Sequence, residues 1–189
     1  SAYTRTLKLF NDGAGIIEFA GHGHPLQFAG TAPFHNPFDN TPASYLLSSA
    51  DPNRLSNTTQ LPIVLFMACN MGRFHVTPSA AGGQTLAERL IFSPNGAVAV
   101  WASSGKGVLY GHLFLQQGFY RALWSAAPFS ARLGDLTRAG QRELISNADF
   151  LSHMAQTHVL LGDAAMRVRV APTTAMSWPY QMYVPAVFR

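Results

Sequence analysis

The sequence predicts a three-layer α/β domain with a mainly parallel sheet flanked by helices. Three short apolar segments, rich in β-branched residues, have the length and composition of buried strands, and they cover residues 15–20, 63–68 and 97–101. Segments with helical periodicity follow the second and the third of them. Such an alternation is typical of parallel sheets, because a parallel connection has to cross over one face of the sheet.

Helices are predicted before, within and after this alternation. The first covers residues 4–11 and ends at a turn signal over residues 11–13. Three later helices are predicted over residues 84–91, 110–124 and 133–145. A further helical segment should precede Gly162, and residues 166–170 alternate like a final strand.

The segment over residues 28–60 is rich in Pro, Asn, Ser and Thr. It therefore predicts a long surface loop, with a short helix around residues 43–48. The proline-rich tail after Ala171 is expected to wrap the surface. The chain contains no repeat or low-complexity tract that would mark a linker, so it reads as one domain.

The composition favours a globular protein and argues against two kinds of partner. Apolar residues make up 48% of the chain and charged residues 12%, which allows a sizeable core. The net charge is +4, but the basic residues are scattered and form no recognisable nucleic-acid module, so we expect no nucleic-acid partner. Each apolar segment is too short for a bilayer, so we expect no membrane span.

The single cysteine and one histidine occupy equivalent places, each just past a predicted strand. His22 follows the strand over residues 15–20, and Cys69 ends the strand over residues 63–68. The carboxyl ends of neighbouring parallel strands meet at one edge of a sheet, so these side chains should converge. A thiol attacks carbonyl carbon as the thiolate, which a neighbouring imidazole promotes. The pattern predicts Cys69 as nucleophile and His22 as general base and acid.

Small residues beside this pair suggest how an oxyanion would be held. Glycine next to a reactive residue lets the substrate backbone approach and leaves amide N–H groups available. The candidate donors are the backbone amides of Gly23 and Cys69.

Candidate pocket residues lie next to the pair or follow the third predicted strand. Residues 101–110 should border the site beside Cys69, because their strand ends at the same edge. The candidates are His24, Trp101, Ser103 and Tyr110. Trp101 also has a simpler interpretation as a core residue.

Two short motifs resemble the start of a metal site or of a phosphate-binding loop, but both are incomplete. His22-x-His24 resembles the start of a zinc cluster, but no further ligand follows at a suitable spacing, so no metal site is assigned. Gly105-Lys106-Gly107 lacks the earlier glycine and the following hydroxyl residue of a phosphate-binding loop.

The blocks around His22 and Cys69 resemble those of one family, the gingipains among the caspase-like (clan CD) cysteine peptidases. The agreement extends to about Val170 and rests on these motifs: Asn11-Asp12-Gly13-Ala14-Gly15-Ile16-Ile17, Gly21-His22-Gly23, Ala68-Cys69-Asn70-Met71-Gly72-Arg73-Phe74, Leu86-Ala87-Glu88, Gly96-Ala97-Val98-Ala99 and Leu160-Leu161-Gly162-Asp163. Ala164 departs from the proline that usually follows the terminal Gly-Asp in this family.

The resemblance implies a caspase-like fold and a cysteine endopeptidase that acts through a thioester. It implies that residues 1–170 are the catalytic portion of such a domain and that residues 171–189 are a C-terminal extension. The family's sheet begins with strands before the histidine block, so we expect the N-terminal part of the same protein to supply them. Family resemblance also suggests a bacterial protein at the cell surface or outside the cell, no cofactor for the chemistry, and possible structural calcium.

Two other functions stay open at this level. The chain is alternatively a catalytically inactive caspase-like module that binds a peptide or protein within a larger assembly. It is also compatible with an α/β domain for a small ligand, in which Cys69 is a buried structural thiol.

Overall fold

A computed structural model describes residues 2–29, 45–75, 83–126 and 130–168. In chain order its strands are β1 (Ile16–Ala20), β2 (Gly23–His24), β3 (Gln27–Ala29), β4 (Tyr45–Ser48), β5 (Ile63–Met67), β6 (Ala99–Ser103) and β7 (His158–Leu161). Its helices are α1 (Ala2–Asn11), α2 (Leu86–Phe92), α3 (Leu109–Ser125), α4 (Leu133–Asn147) and α5 (Ser152–Thr157). Short 3₁₀ turns cover Asp51–Arg54 and Asp149–Leu151.

The central sheet has four strands in the order β1-β5-β6-β7. β1, β5 and β6 run parallel, whereas β7 lies antiparallel beside β6. The prediction of a mainly parallel sheet is thus confirmed. The register pairs Ala20 of β1 with Met67 of β5, so the carboxyl ends of these two strands coincide.

Alternate residues of the strands enter two separate cores, one on each face of the sheet. Leu65, Met67 and Trp101 pack with α3, α4 and α5 on one face. Phe66 and Val100 pack with α1, α2 and the smaller sheet on the other face. All residues of β5 and β6 are buried, which explains their continuous apolar sequence. The three predicted layers are therefore present.

A second sheet, β2-β3-β4, is antiparallel and covers part of the second face. The sequence predicted a short helix around residues 43–48, and this prediction is wrong for the described part, since Tyr45–Ser48 is strand β4. Pairing with β3 decides the outcome, and it places Leu47 in the core. Phe28 and Leu55 are also core residues, so the segment over residues 28–60 is not simply a surface loop; residues 30–44 lie outside the described residues.

The third predicted strand is displaced by two residues, to Ala99–Ser103. Ala97 instead donates its N–H to the Leu90 carbonyl, and Val98 donates to the Pro62 carbonyl. These two bonds fix the two residues that precede β6 and are not part of the sheet's pairing with β6.

The C-terminal part contains a strand that the sequence analysis missed. The predicted helical segment before Gly162 ends at Thr157, and His158–Leu161 forms β7. The predicted strand over residues 166–170 is wrong for its described part, where only an isolated bridge joins Arg167 to Arg132. Residues 169–189 lie outside the described residues, so the predicted boundary at residue 170 stays a prediction.

Candidate functional site

Cys69 lies two residues beyond the end of β5, where the chain turns sharply. Asn70 has φ of 59°, a left-handed conformation that asparagine adopts more easily than most residues. The Asn70 N–H donates to the Gly105 carbonyl at 2.9 Å, and the Gly72 N–H donates to the Ser103 carbonyl at 2.9 Å. These bonds fix the Cys69 backbone against the loop after β6. The thiol is partly exposed, as a nucleophile requires.

His22 lies at the equivalent place beyond β1. Ala20 and Met67 are register partners, so His22 and Cys69 each follow a paired position by two residues. The ladder continues for one more bond, from the Gly21 N–H to the Met67 carbonyl at 3.3 Å. His22 itself is exposed.

Gly23 brings the histidine segment directly against the cysteine. A Cβ atom added at Gly23 would overlap the Cys69 carbonyl oxygen and would come within 2.9 Å of the Ala68 Cβ and of the Met71 Cγ. Only glycine permits this approach. The structure thus brings the His22 and Cys69 segments together as the sequence predicts.

The loop after β6 contacts the sulfur itself. We call residues 103–107 the Gly107 turn. The Cys69 Sγ donates to the Gly107 carbonyl at 3.2 Å, and the Gly107 N–H donates to the Sγ at 3.3 Å. The sulfur is thus held by both backbone groups of one residue. The loop after β6 thus lies beside Cys69, through Gly107, which was not among the predicted site residues.

Ser103 supports the Gly107 turn and does not line a pocket. It is 1% exposed, and its hydroxyl donates to the Gly105 carbonyl at 3.0 Å. Ser104 ties the turn to the end of α5, because its N–H donates to the Thr157 carbonyl at 2.7 Å. Burial therefore corrects the prediction that Ser103 is an accessible pocket residue.

His24 is half-buried at the hairpin between β2 and β3. Its Nδ1 accepts the Leu26 N–H at 3.2 Å, which leaves that nitrogen without a proton. Burial lowers the pKa of His24, in agreement with a neutral ring. The residue holds the hairpin next to His22, and its contact with a substrate stays a prediction.

The two aromatic pocket candidates lie in different places. Trp101 is fully buried and packs on Phe119 and His158, so the prediction of a pocket wall is wrong and the core interpretation is correct. Its position in the middle of β6 points it into the α3 face of the sheet. Tyr110 is exposed in the first turn of α3, three residues after Gly107, and remains a candidate for substrate contact.

Two buried histidines near the site were not assigned any chemistry from the sequence. His112 and His158 are 3% and 2% exposed, and their ring centroids are 5.8 Å apart. Their positions, 46 residues apart in the chain, carry no local motif. The one available signal was that His112 follows the Gly105-Lys106-Gly107 loop by a single helical turn.

Within the described ranges, no three His, Cys, Asp or Glu side chains are grouped in a way that could hold a metal ion. None of the helices in those ranges has the length and hydropathy of a membrane span.

Three solved structures share this fold at TM-scores of 0.70 or above. The Arg-specific cysteine proteinase gingipain R aligns with 88% of the chain at a TM-score of 0.72 and 21% identity. The complex of the RgpB pro- and mature domains from Porphyromonas gingivalis gives 0.72 and 22% over 88% of the chain, and a structure described as a protease gives 0.70 and 15% over 88%. These likenesses show a gingipain-type, caspase-like fold.

A family model that matches the sequence identifies the family. The model of peptidase family C25 matches residues 1–169, so the chain belongs to that family. The resemblance to the gingipains is therefore confirmed. Among curated proteins, none matches the sequence. The chain spans 36–38% of the length of the three solved structures.

Proposed function

We propose that this chain carries the catalytic dyad of a cysteine endopeptidase, with Cys69 as the nucleophile and His22 as the general base and acid. One observation supports this most directly: the two residues follow register-paired positions on neighbouring parallel strands, and Gly23 lies against the Cys69 carbonyl. Membership of peptidase family C25 agrees with that assignment.

The reaction would proceed in two halves. His22 takes the thiol proton, and Cys69 Sγ bonds to the carbonyl carbon of the scissile peptide. The tetrahedral intermediate collapses as the C–N bond breaks, and the imidazolium gives its proton to the leaving amine. Water, deprotonated by His22, then hydrolyses the thioester, and the thiol is restored.

The oxyanion of each tetrahedral intermediate would be held by the backbone amides of Gly23 and Cys69. The contact between these two segments supports this assignment. A donor of this kind contributes about a hundredfold or more in rate. The Gly107 N–H contacts the sulfur and would stabilise it before attack.

The substrate would be a peptide or protein, and further parts of the same protein would complete the site. The chain spans just over a third of its solved relatives, one of which is a complex of pro- and mature domains. An acidic group that orients His22 and a group that selects the cleavage-site residue are assigned to those further parts. We propose, on family resemblance alone, that the protein acts at the bacterial surface or outside the cell. Structural calcium is proposed on the same ground alone.

A peptide acyloxymethyl ketone, which alkylates a catalytic thiol, tests the dyad. Mass spectrometry should find the adduct on Cys69 in the wild type and no adduct in Cys69→Ala. We expect labelling of His22→Ala to be at least ~100-fold slower, because a general base contributes about that factor. His153→Ala, on the exposed surface of α5, is the matched control and should react like the wild type.

Iodoacetamide separates the two alternative functions in the same samples. If the folded wild type reacts with iodoacetamide but not with the peptide ketone, the inactive binding module replaces the peptidase. If Cys69 reacts with neither reagent, the thiol is structural, and a small-ligand domain becomes the better interpretation.

A further inference from the structure

We propose that His112 is a positioning residue for Cys69: its neutral ring, backed by His158, holds the Gly107 turn against the sulfur. This role rests on the proposed function of Cys69. The first step is that the Gly107 turn contacts the nucleophile through both its N–H and its carbonyl. Any displacement of this turn therefore moves two of the groups that surround the sulfur.

His112 lies directly behind that turn. A Cβ atom added at Gly107 would come within 2.8 Å of the His112 Nε2 and within 2.7 Å of the Met154 Cε. The imidazole and the thioether thus pack against the backbone of Gly107. His112 itself is held in the first turn of α3, where its N–H donates to the Val108 carbonyl at 3.1 Å.

The surroundings of His112 suit only an uncharged ring. Its Nε2 has no hydrogen-bond partner among the described residues, and the same holds for both ring nitrogens of His158 and for the Trp101 Nε1. His158 lies 5.8 Å from His112 and 4.7 Å from Trp101, measured between ring centroids. Burial lowers the pKa of His112 to about 4 and that of His158 to about 3.

Among the described residues, no carboxylate is recorded in contact with either ring. The ionisable groups on the elements packed around the pair are Lys106 on the turn, Cys69 in contact with Gly107, His153 on α5, Asp149 on the 3₁₀ turn before it, Tyr110, Tyr120 and Arg121 on α3, and Asp135, Arg138, Arg142 and Glu143 on α4. Lys106, His153, Asp135, Arg138 and Arg142 are exposed, and Glu143 is paired with Arg121 at 2.7 Å. A proton on His112 would face only a second imidazole and apolar groups.

The least costly response to that proton is displacement of the turn. The packed core of β6 and α4 resists movement, whereas the Gly107 turn is held by the sulfur contacts and by single backbone hydrogen bonds to Thr157, Asn70 and Gly72. Protonation of His112 should therefore release the Gly107 turn from Cys69 before the domain unfolds.

Hydrogen exchange measured from pH 7 to pH 4 in wild type and His112→Leu tests this role. In the wild type, protection of the hydrogen-bonded amides of the turn (Ser104, Gly105 and Gly107), corrected for intrinsic exchange, should fall at least tenfold while β5 stays protected. In His112→Leu it should be independent of pH. His112→Gln, which is neutral at every pH and retains a polar end group, is the second variant if leucine does not fold. His153→Leu is the control and should behave as wild type.

Labelling by the peptide ketone, measured in parallel, links the turn to the reactivity of Cys69. The rate in the wild type should show an acid inflection that His112→Leu and His112→Gln lack. The inference is overturned if protection of the turn does not change before global unfolding, or if the folded variants keep the wild-type pH profile. Absence of ketone labelling at every pH, together with a pH-dependent turn, would instead count against the proposed peptidase function.

Discussion

At the scale of single residues, the backbones of two glycines contact the Cys69 segment. Gly23 touches the Cys69 carbonyl, and Gly107 contributes an N–H and a carbonyl to the sulfur. A backbone group is held by the fold on both sides, so its position depends little on rotamers. This arrangement makes the glycines as important for the site as the two reactive side chains.

Gly23→Ala should impair the site without unfolding the domain. The new methyl group would overlap the Cys69 carbonyl oxygen, so either the hairpin or the end of β5 must shift. A displacement of about 1 Å can cost about a hundredfold in rate, and we expect a loss of that size in peptide-ketone labelling.

Gly15→Ala is the matched control for this change, because a Cβ atom there has no neighbour within 4 Å. It should label at the wild-type rate. Equal rates for both variants would show that the contact between Gly23 and Cys69 is not required.

At the scale of elements, α3 and α4 cover one face of the sheet and approach each other through two glycines. A Cβ atom at Gly118 would lie 2.7 Å from the Gly140 Cα, and one at Gly140 would lie 2.6 Å from the Trp101 Cη2. Small residues thus allow both helices to lie close to β6. Since α3 begins two residues after Gly107, this packing also fixes the base of the Gly107 turn.

Gly140→Ala should therefore destabilise the protein although alanine is the better helix former. Overpacking costs about 1–3 kcal/mol, which exceeds the gain of about 1 kcal/mol from helix propensity. Urea unfolding should show a lower midpoint. Ser146→Ala, on the exposed side of the same helix, is the control and should change stability by no more than ~0.5 kcal/mol. A midpoint for Gly140→Ala at or above that of the wild type contradicts the close packing.

At the scale of the whole molecule, stability depends on pH through two histidines and one glutamate. The histidines stabilise the folded protein at higher pH, and the glutamate stabilises it at lower pH. His112 and His158 have lowered pKa values in the folded protein. As the pH falls, the unfolded chain therefore binds protons on these two residues before the folded protein does. Their contribution is complete above about pH 6.5 and is lost as the pH falls towards 4 and then 3. Burial raises the pKa of Glu18, and this effect is larger than the lowering caused by its hydrogen bonds with Tyr120 and Gln116. Its contribution is present in acid and is lost as the pH rises through the folded value.

Glu18→Gln should isolate the effect of the histidines. The wild type loses stability between pH 8 and pH 4 because of the histidines, and Glu18 offsets part of this loss. The variant lacks that offset, so its urea midpoint should fall more steeply over the same range. Identical slopes for the two proteins would mean that Glu18 titrates alike in the folded and unfolded states.

Local patterns explain why much of the architecture was predictable. β1, β5, α3 and α4 were placed within two residues at each end, because their period, length and flanking turn residues are encoded nearby in the sequence. β4 and β7 were missed, because a run of four residues becomes a strand only when a neighbouring strand pairs with it. The predictions failed where the deciding partner was distant in the chain.

The same division applies to the candidate site. The sequence by itself determined that Cys69 and His22 follow two buried strands, since strand length and glycine turns are local properties. Only the tertiary structure decided that Trp101 and Ser103 are buried, that Gly107 contacts a sulfur 38 residues away, and that His112 lies behind that glycine. Which side chains face solvent and which loops contact each other depends on how all the helices and strands pack together, so these features cannot be read from a local stretch of sequence.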